Sequence, residues 1–292
     1  MSPHNARVSL FDHFTKDLGA VAPKFAGRFC CPLCLSLFDR GDVDRHLTLE
    51  HVIPRGLGKK LSVLTCSTCN NDVGGAKLDS HLHKKTEIDS FFGGFGGATT
   101  VDLHIGGHRL TAEWERSRKG AQIDNTLRII EKATAPAALE SSKAEFRALL
   151  DGSEIKLRFR VASERRANLS LLKAGYLLAF LRLGYDFIFS KNLDVVRQQI
   201  RSPSDQLLPL DALIVGVNEL PVVNSVLLVT KPAELQGLLS VIELRPKSGP
   251  YTRGVLLPHP SSPPDFFEKA AMLKQLNGDL SIAGRPVQKW GN

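Results

Sequence analysis

Cysteines with metal-binding spacing are concentrated in the first quarter of this 292-residue chain. Four of the five form two pairs, Cys31 with Cys34 and Cys66 with Cys69, and each pair has two residues between its members. Two thiolates at that spacing can bind one ion, and four thiolates around one ion are a common structural zinc site. Buried or redox-active thiols are the alternative, but paired cysteines in a cytosolic protein favour a metal over disulfides. The sequence therefore predicts a structural Zn²⁺ site, from which Cys30 is left out as a small buried hydrophobic residue.

Further polar groups lie between and after these pairs. Glu50 and His51 precede the second pair, and Asn70 follows Cys69 directly. The order Cys-x-x-Cys, acid-His, Cys-x-x-Cys-Asn resembles the zinc-bearing HNH, or His-Me finger, endonucleases over residues 30 to 83. The resemblance implies a ββα-metal finger, in which a β-hairpin carries the acid-His pair, a helix carries the Asn and zinc joins the two. It also implies that His51 is the general base on the attacking water and that Glu50 and Asn70 bind a catalytic Mg²⁺ or Mn²⁺.

These residue types also suit phosphodiester hydrolysis on chemical grounds alone. A neutral histidine near pH 7 can accept the proton of the attacking water, which contributes roughly 10²- to 10⁴-fold to the rate. Carboxylate and amide oxygens are the ligands that Mg²⁺ prefers. Adjacent residues of an ideal strand point to opposite faces, so Glu50 and His51 can share one site only if the strand twists, bulges or ends there. Pro54, three residues after His51, favours an ending.

Two positions depart from the family pattern. Leu61 stands where the middle Asn of the HNH motif is expected, so another residue must orient the His51 loop, and Gly74 stands where an additional metal ligand can occur. Asp79 and His81, farther along the same segment, are candidates for supporting contacts to the metal site or for contacts to substrate. The alternative interpretation is a zinc ribbon that only scaffolds a binding surface, with His51 an ordinary structural histidine.

The charge of the chain favours a nucleic-acid partner. A formal net charge of +8 suits a polyanion, because phosphate neutralisation drives non-specific nucleic-acid binding. The first candidates for DNA contacts are the basic residues of the loop after His51, namely Arg55, Lys59 and Lys60. A second set alternates with apolar residues in a predicted strand and comprises Lys156, Arg158 and Arg160. This second set is either a phosphate-binding face or the solvated face of a sheet.

Hydropathy periodicity predicts an α+β fold in two domains. A glycine-rich stretch at residues 91–97 predicts a limit between a nuclease domain, residues 1–95, and a larger α+β accessory domain, residues 100–292, for substrate binding or regulation. A hairpin is predicted over residues 101–114. Helices are predicted near residues 10–18, 137–150, 166–183, 193–200 and 264–276, and the apolar stripe of residues 166–183 is assigned to the core. Strands are predicted at residues 155–161, 212–217, 225–230, 238–244 and 254–257.

The sequence thus predicts a metal-dependent endonuclease that cleaves DNA and leaves a 5′-phosphate. No apolar run reaches the roughly 18 residues of a membrane span, and the N-terminus lacks a signal sequence, so a cytoplasmic protein without a membrane partner is expected. Restriction, phage defence, mobile elements and repair are all compatible roles, and the sequence does not choose among them. A non-catalytic zinc-finger protein that binds nucleic acid is the alternative, and gating of the nuclease by the C-terminal region is compatible with either.

Overall fold

The computed structural model describes residues 2–58, 60–71, 75–92, 97–105, 108–119, 122–149, 156–159, 163–217, 222–246, 249–275 and 282–287. Helices and strands are mixed along the chain, which confirms the α+β class. The chain forms two compact units, one of residues 1–82, 164–244 and 250–292 and one of residues 83–163 and 245–249. Among the described helices, none combines the length and the apolar character needed to cross a membrane.

The first unit begins with helix α1, Pro3–Val21, and two small hairpins. The side chain of Ser2 accepts a hydrogen bond from the backbone N–H of Asn5, and Pro3 occupies the first turn, both favourable at a helix N-terminus. The hairpins pair β1, Phe29–Cys30, with β2, Leu37–Phe38, and β3, Leu47–His51, with β4, Ser62–Cys66. Helices α2, Ser67–Asn71, and α3, Gly75–Phe92, follow.

A five-stranded antiparallel sheet supplies the rest of the first unit's core. Its strands are β9, Ile214–Gly216; β10, Ser225–Lys231; β11, Gly237–Leu244; β12, Tyr251–Leu257; and β13, Ala283–Pro286. They are arranged in the order β13-β10-β11-β12-β9. The helices of this part are α5, Glu164–Leu183; α6, Tyr185–Ile188; α7, Asp194–Arg201; α8, Leu210–Leu213; and α9, Phe266–Gln275.

Helix α5, Glu164–Leu183, is the central element of this unit. Every residue from Ala167 to Phe180 is buried, so the helix is covered on all sides. Gly175 allows its close approach to β12, because a Cβ at this position would lie 2.5 Å from the Cβ of Val255. Ser240 Oγ of β11 donates a hydrogen bond to the backbone oxygen of Gly175 at 2.8 Å. The helix is therefore enclosed by the sheet on one side and by the N-terminal elements on another.

The second unit contains a four-stranded antiparallel sheet and a helix that packs against it. The strands are β5, Gly97–Ile105; β6, His108–Lys119; β7, Gln122–Ile129; and β8, Lys156–Phe159, in the order β7-β6-β5-β8. Helix α4, Pro136–Leu149, contributes Ala138 to a small core. That core is formed by the alternating apolar residues of the hairpin: Val101, Leu103, Leu110 and Ala112.

Most of the predicted elements are confirmed, with some differences. The hairpin of residues 101–114 is present as β5 and β6, and the predicted helices correspond to α1, α4, α5, α7 and α9. Residues 212–217 were predicted as a strand, but the segment begins in α8 and only Ile214–Gly216 pairs with β12. Within the predicted strand 155–161, the structure describes residues 156–159, which form strand β8. Strands β7 and β13 were not predicted, and both lie at sheet edges, where exposed side chains weaken the alternating pattern.

The division into compact units differs from the predicted domain limit near residue 95. The first unit combines residues 1–82 with two C-terminal stretches. The physical reason is α5, because Tyr176 donates to the backbone oxygen of Pro32 at 2.7 Å and Tyr185, just beyond α5, donates to that of Cys30 at 2.7 Å. The cysteine region therefore shares a core with elements that lie more than a hundred residues later in the chain.

Candidate functional site

Four cysteines of the first unit form a cluster that could hold a metal ion. Cys31 follows β1, Cys34 lies in the turn before β2, Cys66 ends β4 and Cys69 lies in α2. Their Sγ atoms all lie within 4.8 Å of one another, and those of Cys34 and Cys66 are 3.7 Å apart. Tetrahedral zinc with Zn–S bonds of about 2.3 Å places its sulfurs about 3.8 Å apart. The donor set and its spacing therefore fit a zinc ion.

Backbone geometry prepares these sulfurs for a cation. The backbone N–H of Cys66 points to Cys31 Sγ at 3.4 Å, and that of Cys69 points to Cys66 Sγ at 3.4 Å. Hydrogen bonds from the other thiols, first from Cys31, lower the pKa of Cys34. Hydrogen bonds with Cys31 and Cys69 bring the pKa of Cys66 to about 7, against an opposing effect of Cys34. Burial raises the pKa of Cys31. A cluster that contains both thiolate and thiol forms can be deprotonated fully when a metal binds, as metal–thiolate sites require.

Cys30 is separate from this cluster, as the sequence predicted. Its backbone N–H donates to the Tyr185 hydroxyl at 3.0 Å, and the same hydroxyl donates to its backbone oxygen. Burial raises the pKa of the Cys30 thiol to about 12. This cysteine therefore remains a protonated, buried side chain.

Asn70 joins α2 to strand β3. Its amide Nδ2 donates to Thr48 Oγ1 at 2.9 Å and lies 3.5 Å from the backbone oxygen of Leu49. Since Thr48 and Glu50 are two residues apart on β3, their side chains share a face of the strand. The structure thus brings Asn70 to the face of β3 that also carries Glu50.

Glu50 and His51 lie on opposite faces of β3, because the pairing of the strand with β4 is regular through Glu50–Val63 and His51–Ser62. Glu50 is buried, with 4% of its surface exposed, whereas His51 is only partly buried. The strand ends at His51, as Pro54 predicted. Adjacent residues could share one site if the strand twisted, bulged or ended at them, and of these three possibilities β3 shows the ending.

The imidazole of His51 is held between two side chains. Arg55 Nε donates to His51 Nε2 at 3.0 Å, and Ser62 Oγ lies 3.4 Å from Nδ1. A guanidinium cannot accept a hydrogen bond, so Nε2 is the unprotonated nitrogen and Nδ1 carries the proton. Burial and the positive charge of Arg55 lower the pKa of His51, and the Asp79 carboxylate partly opposes them. The ring is therefore neutral at pH 7. Ser62, which follows the Leu61 that replaces the middle Asn of the HNH motif, supplies a contact that orients the ring.

Glu50 belongs to a buried cluster of charges that the sequence did not predict. Lys173 Nζ, on α5, lies 2.6 Å from Glu50 Oε1 and 3.1 Å from Asp79 Oδ1. Ser170 Oγ, also on α5, donates to Asp79 Oδ1 at 2.8 Å. Burial raises the pKa of Glu50, and the positive charge of Lys173 only partly offsets this effect. The side chain expected to bind a divalent ion therefore contacts an ammonium group.

Of the two predicted supporting residues, Asp79 joins this cluster. His81 Nε2 instead lies 3.3 Å from an Arg166 nitrogen of α5, and burial followed by the Arg166 charge lowers the pKa of His81.

Three of the predicted DNA contacts, Arg55, Lys60 and Arg158, are exposed. Arg55 and Lys60 are exposed in the loop after β3. In the second unit, Arg158 is exposed on β8, opposite Asp102 of β5, and Lys156 pairs with His104. Two of the predicted residues, Lys59 and Arg160, lie outside the described part of the chain.

Sequence reasoning missed Lys173 and Ser170. The available signal was a lysine inside the run Leu171 to Phe180, which is otherwise apolar apart from Tyr176. In a helix that is apolar all around, a lysine has no solvent-facing side and must find a buried acidic partner. The sequence prediction assigned one apolar face of this helix to the core, and Lys173 does not belong to that face.

Comparisons of the chain with models of protein families, with curated proteins and with solved structures found no match. Function is therefore inferred from the residues and the geometry of this site.

Proposed function

We propose that the chain is an endonuclease that hydrolyses phosphodiester bonds of DNA, with His51 as the general base. One observation carries the proposal: the hydrogen bonds from Asn70 to β3 join the helix of the four-cysteine cluster to the strand that ends in His51. A histidine, an amide and a candidate zinc site are thereby linked through one small hairpin and one short helix. This is the arrangement that the HNH resemblance implies for a ββα-metal finger.

In this proposal the four cysteines bind a structural zinc ion. The ion would tie the loop between β1 and β2 to the end of β4 and to α2, all of which contribute sulfurs within 4.8 Å of one another. The hairpin β3–β4 has only five residues in each strand, and two short strands are marginally stable alone. Zinc therefore contributes the rigidity that holds His51 and Asn70 in place.

His51 accepts the proton of the attacking water through Nε2. Its lone pair now accepts a hydrogen bond from Arg55, an exposed side chain. A substrate phosphate offers Arg55 a bidentate partner, and movement of Arg55 toward the phosphate releases Nε2 for water. Arg55 and Lys60 are thus assigned to the phosphate backbone near the base, and Arg158 of the second unit is assigned to a separate backbone contact.

The surroundings of Glu50 do not suit the catalytic Mg²⁺ or Mn²⁺ that the resemblance implies. Asn70 has an amide oxygen for such an ion, but Glu50 Oε1 contacts the Lys173 ammonium at 2.6 Å and its carboxylate is buried. This arrangement does not fit a divalent ion at Glu50, since a ligand oxygen shared with an ammonium is a poor partner for Mg²⁺. The same observation favours a second candidate function, a zinc finger that binds nucleic acid without cleaving it.

Cleavage assays with purified, zinc-loaded protein separate the two functions. Supercoiled plasmid, single-stranded DNA and RNA are incubated with the wild type, His51→Ala and His259→Ala, each in Mg²⁺, Mn²⁺ and EDTA. His259 is a matched control, because burial also lowers its pKa but its ring contacts Ser261 in another part of the unit. The nuclease predicts nicking of plasmid by the wild type and His259→Ala but not by His51→Ala. DNA binding without cleavage by any protein would favour the zinc-finger binder.

The proposal includes a cytoplasmic location. It also includes a role in restriction or phage defence, which the same cleavage assay tests with phage DNA as substrate.

A further inference from the structure

The buried lysine of α5 occupies the position of a cation in the candidate site. Lys173 is 2% exposed, and its ammonium contacts Glu50 Oε1 at 2.6 Å and Asp79 Oδ1 at 3.1 Å. The two carboxylates come from β3 and α3, and the ammonium comes from a helix more than ninety residues farther along the chain. Ser170, one helical turn before Lys173, holds Asp79 through a hydrogen bond of 2.8 Å.

Burial alone disfavours the charged form of a lysine, and an unpaired ammonium in a protein core shifts toward neutrality. Here the opposing effect of Glu50 and Asp79 is larger, so the pKa of Lys173 is raised rather than lowered. The group is therefore a permanent positive charge at physiological pH. A single ammonium between two carboxylates provides the counter-charge that a bound metal ion would otherwise supply.

An ammonium and a divalent ion cannot both occupy this position. A magnesium ion lies about 2.0 to 2.1 Å from each ligand oxygen and requires near-octahedral geometry. Lys173 Nζ already lies within hydrogen-bond distance of one oxygen of each carboxylate. A second cation bound through the same pair would meet the first at close range in a poorly solvated environment, where like-charge repulsion is strong.

We propose that Lys173 is the resident cation of this site and that it keeps Glu50 from binding a divalent ion. Glu50 then acts as a structural anchor, which ties the end of β3 to α5 and so positions the neighbouring His51. Lys173 is accordingly a positioning residue. Its part in the reaction rests on the proposed function, whereas its effect on metal binding does not.

Divalent-ion binding tests the inference without any need for catalysis. Mn²⁺ is titrated into zinc-loaded full-length protein and its free form is followed by electron paramagnetic resonance, for the wild type, Glu50→Gln, Lys173→Met and the double variant. We expect the wild type and Glu50→Gln to bind Mn²⁺ equally. We expect Lys173→Met to gain one Mn²⁺ site of at least tenfold higher affinity, and we expect Glu50→Gln to abolish that gain.

A charge-conserving control distinguishes charge from side-chain volume. Lys173→Arg retains the positive charge and should gain no Mn²⁺ site, whereas Lys173→Met has a similar length and no charge. Zinc content and circular dichroism show which variants are folded. If Lys173→Met does not fold, the comparison of wild type with Glu50→Gln still decides the matter, because it requires no change at Lys173.

Binding of Mn²⁺ at least tenfold tighter by the wild type than by Glu50→Gln would overturn the inference, since Glu50 would then be a metal ligand beside Lys173. Cleavage assays on the same samples keep this outcome distinct from the fate of the proposed function. If none of the proteins cleaves nucleic acid, the nuclease proposal fails while the Mn²⁺ titration still establishes or refutes the role of Lys173.

Discussion

Arg55 links the protonation of His51 to an exposed cation. Its guanidinium donates to Nε2 at 3.0 Å, and its charge is the second cause, after burial, that lowers the pKa of the imidazole. A general base must be neutral to act, so a lowered pKa extends activity toward lower pH. At the scale of single residues, one side chain of the loop after β3 therefore contributes, after burial, to the pH profile of the proposed nuclease.

Replacing Arg55 by Gln should move the acid limb of the rate profile upward. In the wild type, activity is expected to fall only below the ordinary histidine value of 6.5. Without the positive charge the pKa of His51 rises, so the base becomes protonated at a higher pH and activity is lost earlier on acidification. A shift of up to about one pH unit is expected, measured as the midpoint of kcat/KM against pH.

Lys60→Gln is the control for this shift. Lys60 is also an exposed basic residue of the loop, and its charge has a smaller effect on the pKa of His51. Both variants should bind DNA more weakly, but only Arg55→Gln should move the midpoint appreciably. Equal midpoints for wild type and Arg55→Gln would contradict the assigned contact.

Cys30 and Cys31 are adjacent cysteines with opposite expected roles. Cys31→Ala removes one of the four clustered sulfurs and should weaken zinc binding by more than 100-fold, roughly the upper limit seen for residues that merely support metal ligands. Cys30→Ala should keep one zinc per chain. Native mass spectrometry measures the stoichiometry, and competition with a chelator measures the affinity. Equal zinc contents in the two variants would contradict the four-cysteine site.

Much of the candidate site could be predicted at the residue scale. The spacing of Cys31, Cys34, Cys66 and Cys69 was sufficient to predict a four-thiolate cluster, because that spacing is a local property of the chain. The partner of Glu50 could not be predicted. Lys173 is 123 residues away in sequence, and no local pattern indicates which buried acid a buried lysine will meet.

Helix α5 requires glycine at its closest approach to the sheet. A Cβ on Gly175 would lie 2.5 to 2.8 Å from three side-chain atoms of Val255, which is closer than non-bonded carbons tolerate. Gly19 in α1 provides a contrast, since a Cβ there would meet Ala26 at an ordinary 3.6 Å. The space for a side chain is thus missing at Gly175 and present at Gly19.

Gly175→Ala should therefore destabilise the protein and Gly19→Ala should not. Overpacking in a core costs about 1 to 3 kcal/mol, partly offset by the gain of about 1 kcal/mol in helix propensity that alanine brings at either position. Chemical denaturation of the two variants and the wild type measures the free energy of unfolding. A Gly175→Ala protein as stable as Gly19→Ala would contradict the described packing of α5 on β12.

At the scale of elements, prediction succeeded where the pattern is local and strong. The hairpin β5–β6 and strands β10 to β12 were recognised from alternating or continuous apolar residues. Burial of α5 on every side was not foreseen, because a stripe of apolar residues reveals one packed face and cannot reveal how many neighbours surround a helix. Strand β7 has mostly exposed side chains and gave no such pattern.

The whole molecule builds its candidate site from distant parts of the chain. The cysteine loop and β3 are held by Tyr176, Tyr185 and Lys173, all of which follow residues 83–163 of the second compact unit in sequence. A domain limit near residue 95 was predicted from glycine content alone. Long-range contacts of this kind are invisible to composition, which explains the difference between the predicted domains and the observed units.

A fragment of residues 1–95 should consequently fail to fold as an independent domain. Without α5, the buried side chains Phe14, Leu33 and Leu64 lose much of their core, and Glu50 and Asp79 lose the Lys173 counter-charge. The zinc-loaded fragment should show poor amide chemical-shift dispersion and no cooperative thermal transition. Addition of a second fragment, residues 160–292, should restore both, whereas a well-folded 1–95 fragment would contradict the shared core.

The most direct test of the central claim is cleavage of DNA in H₂¹⁸O, with the products analysed by mass spectrometry. We expect zinc-loaded wild type to produce 5′-phosphate ends that each carry one ¹⁸O atom and zinc-loaded His51→Ala to produce none. The label would show that water is the nucleophile, and its loss would identify His51 as the base that activates it. Equal labelled product from His51→Ala, or intact DNA in the wild-type reaction, would contradict the account.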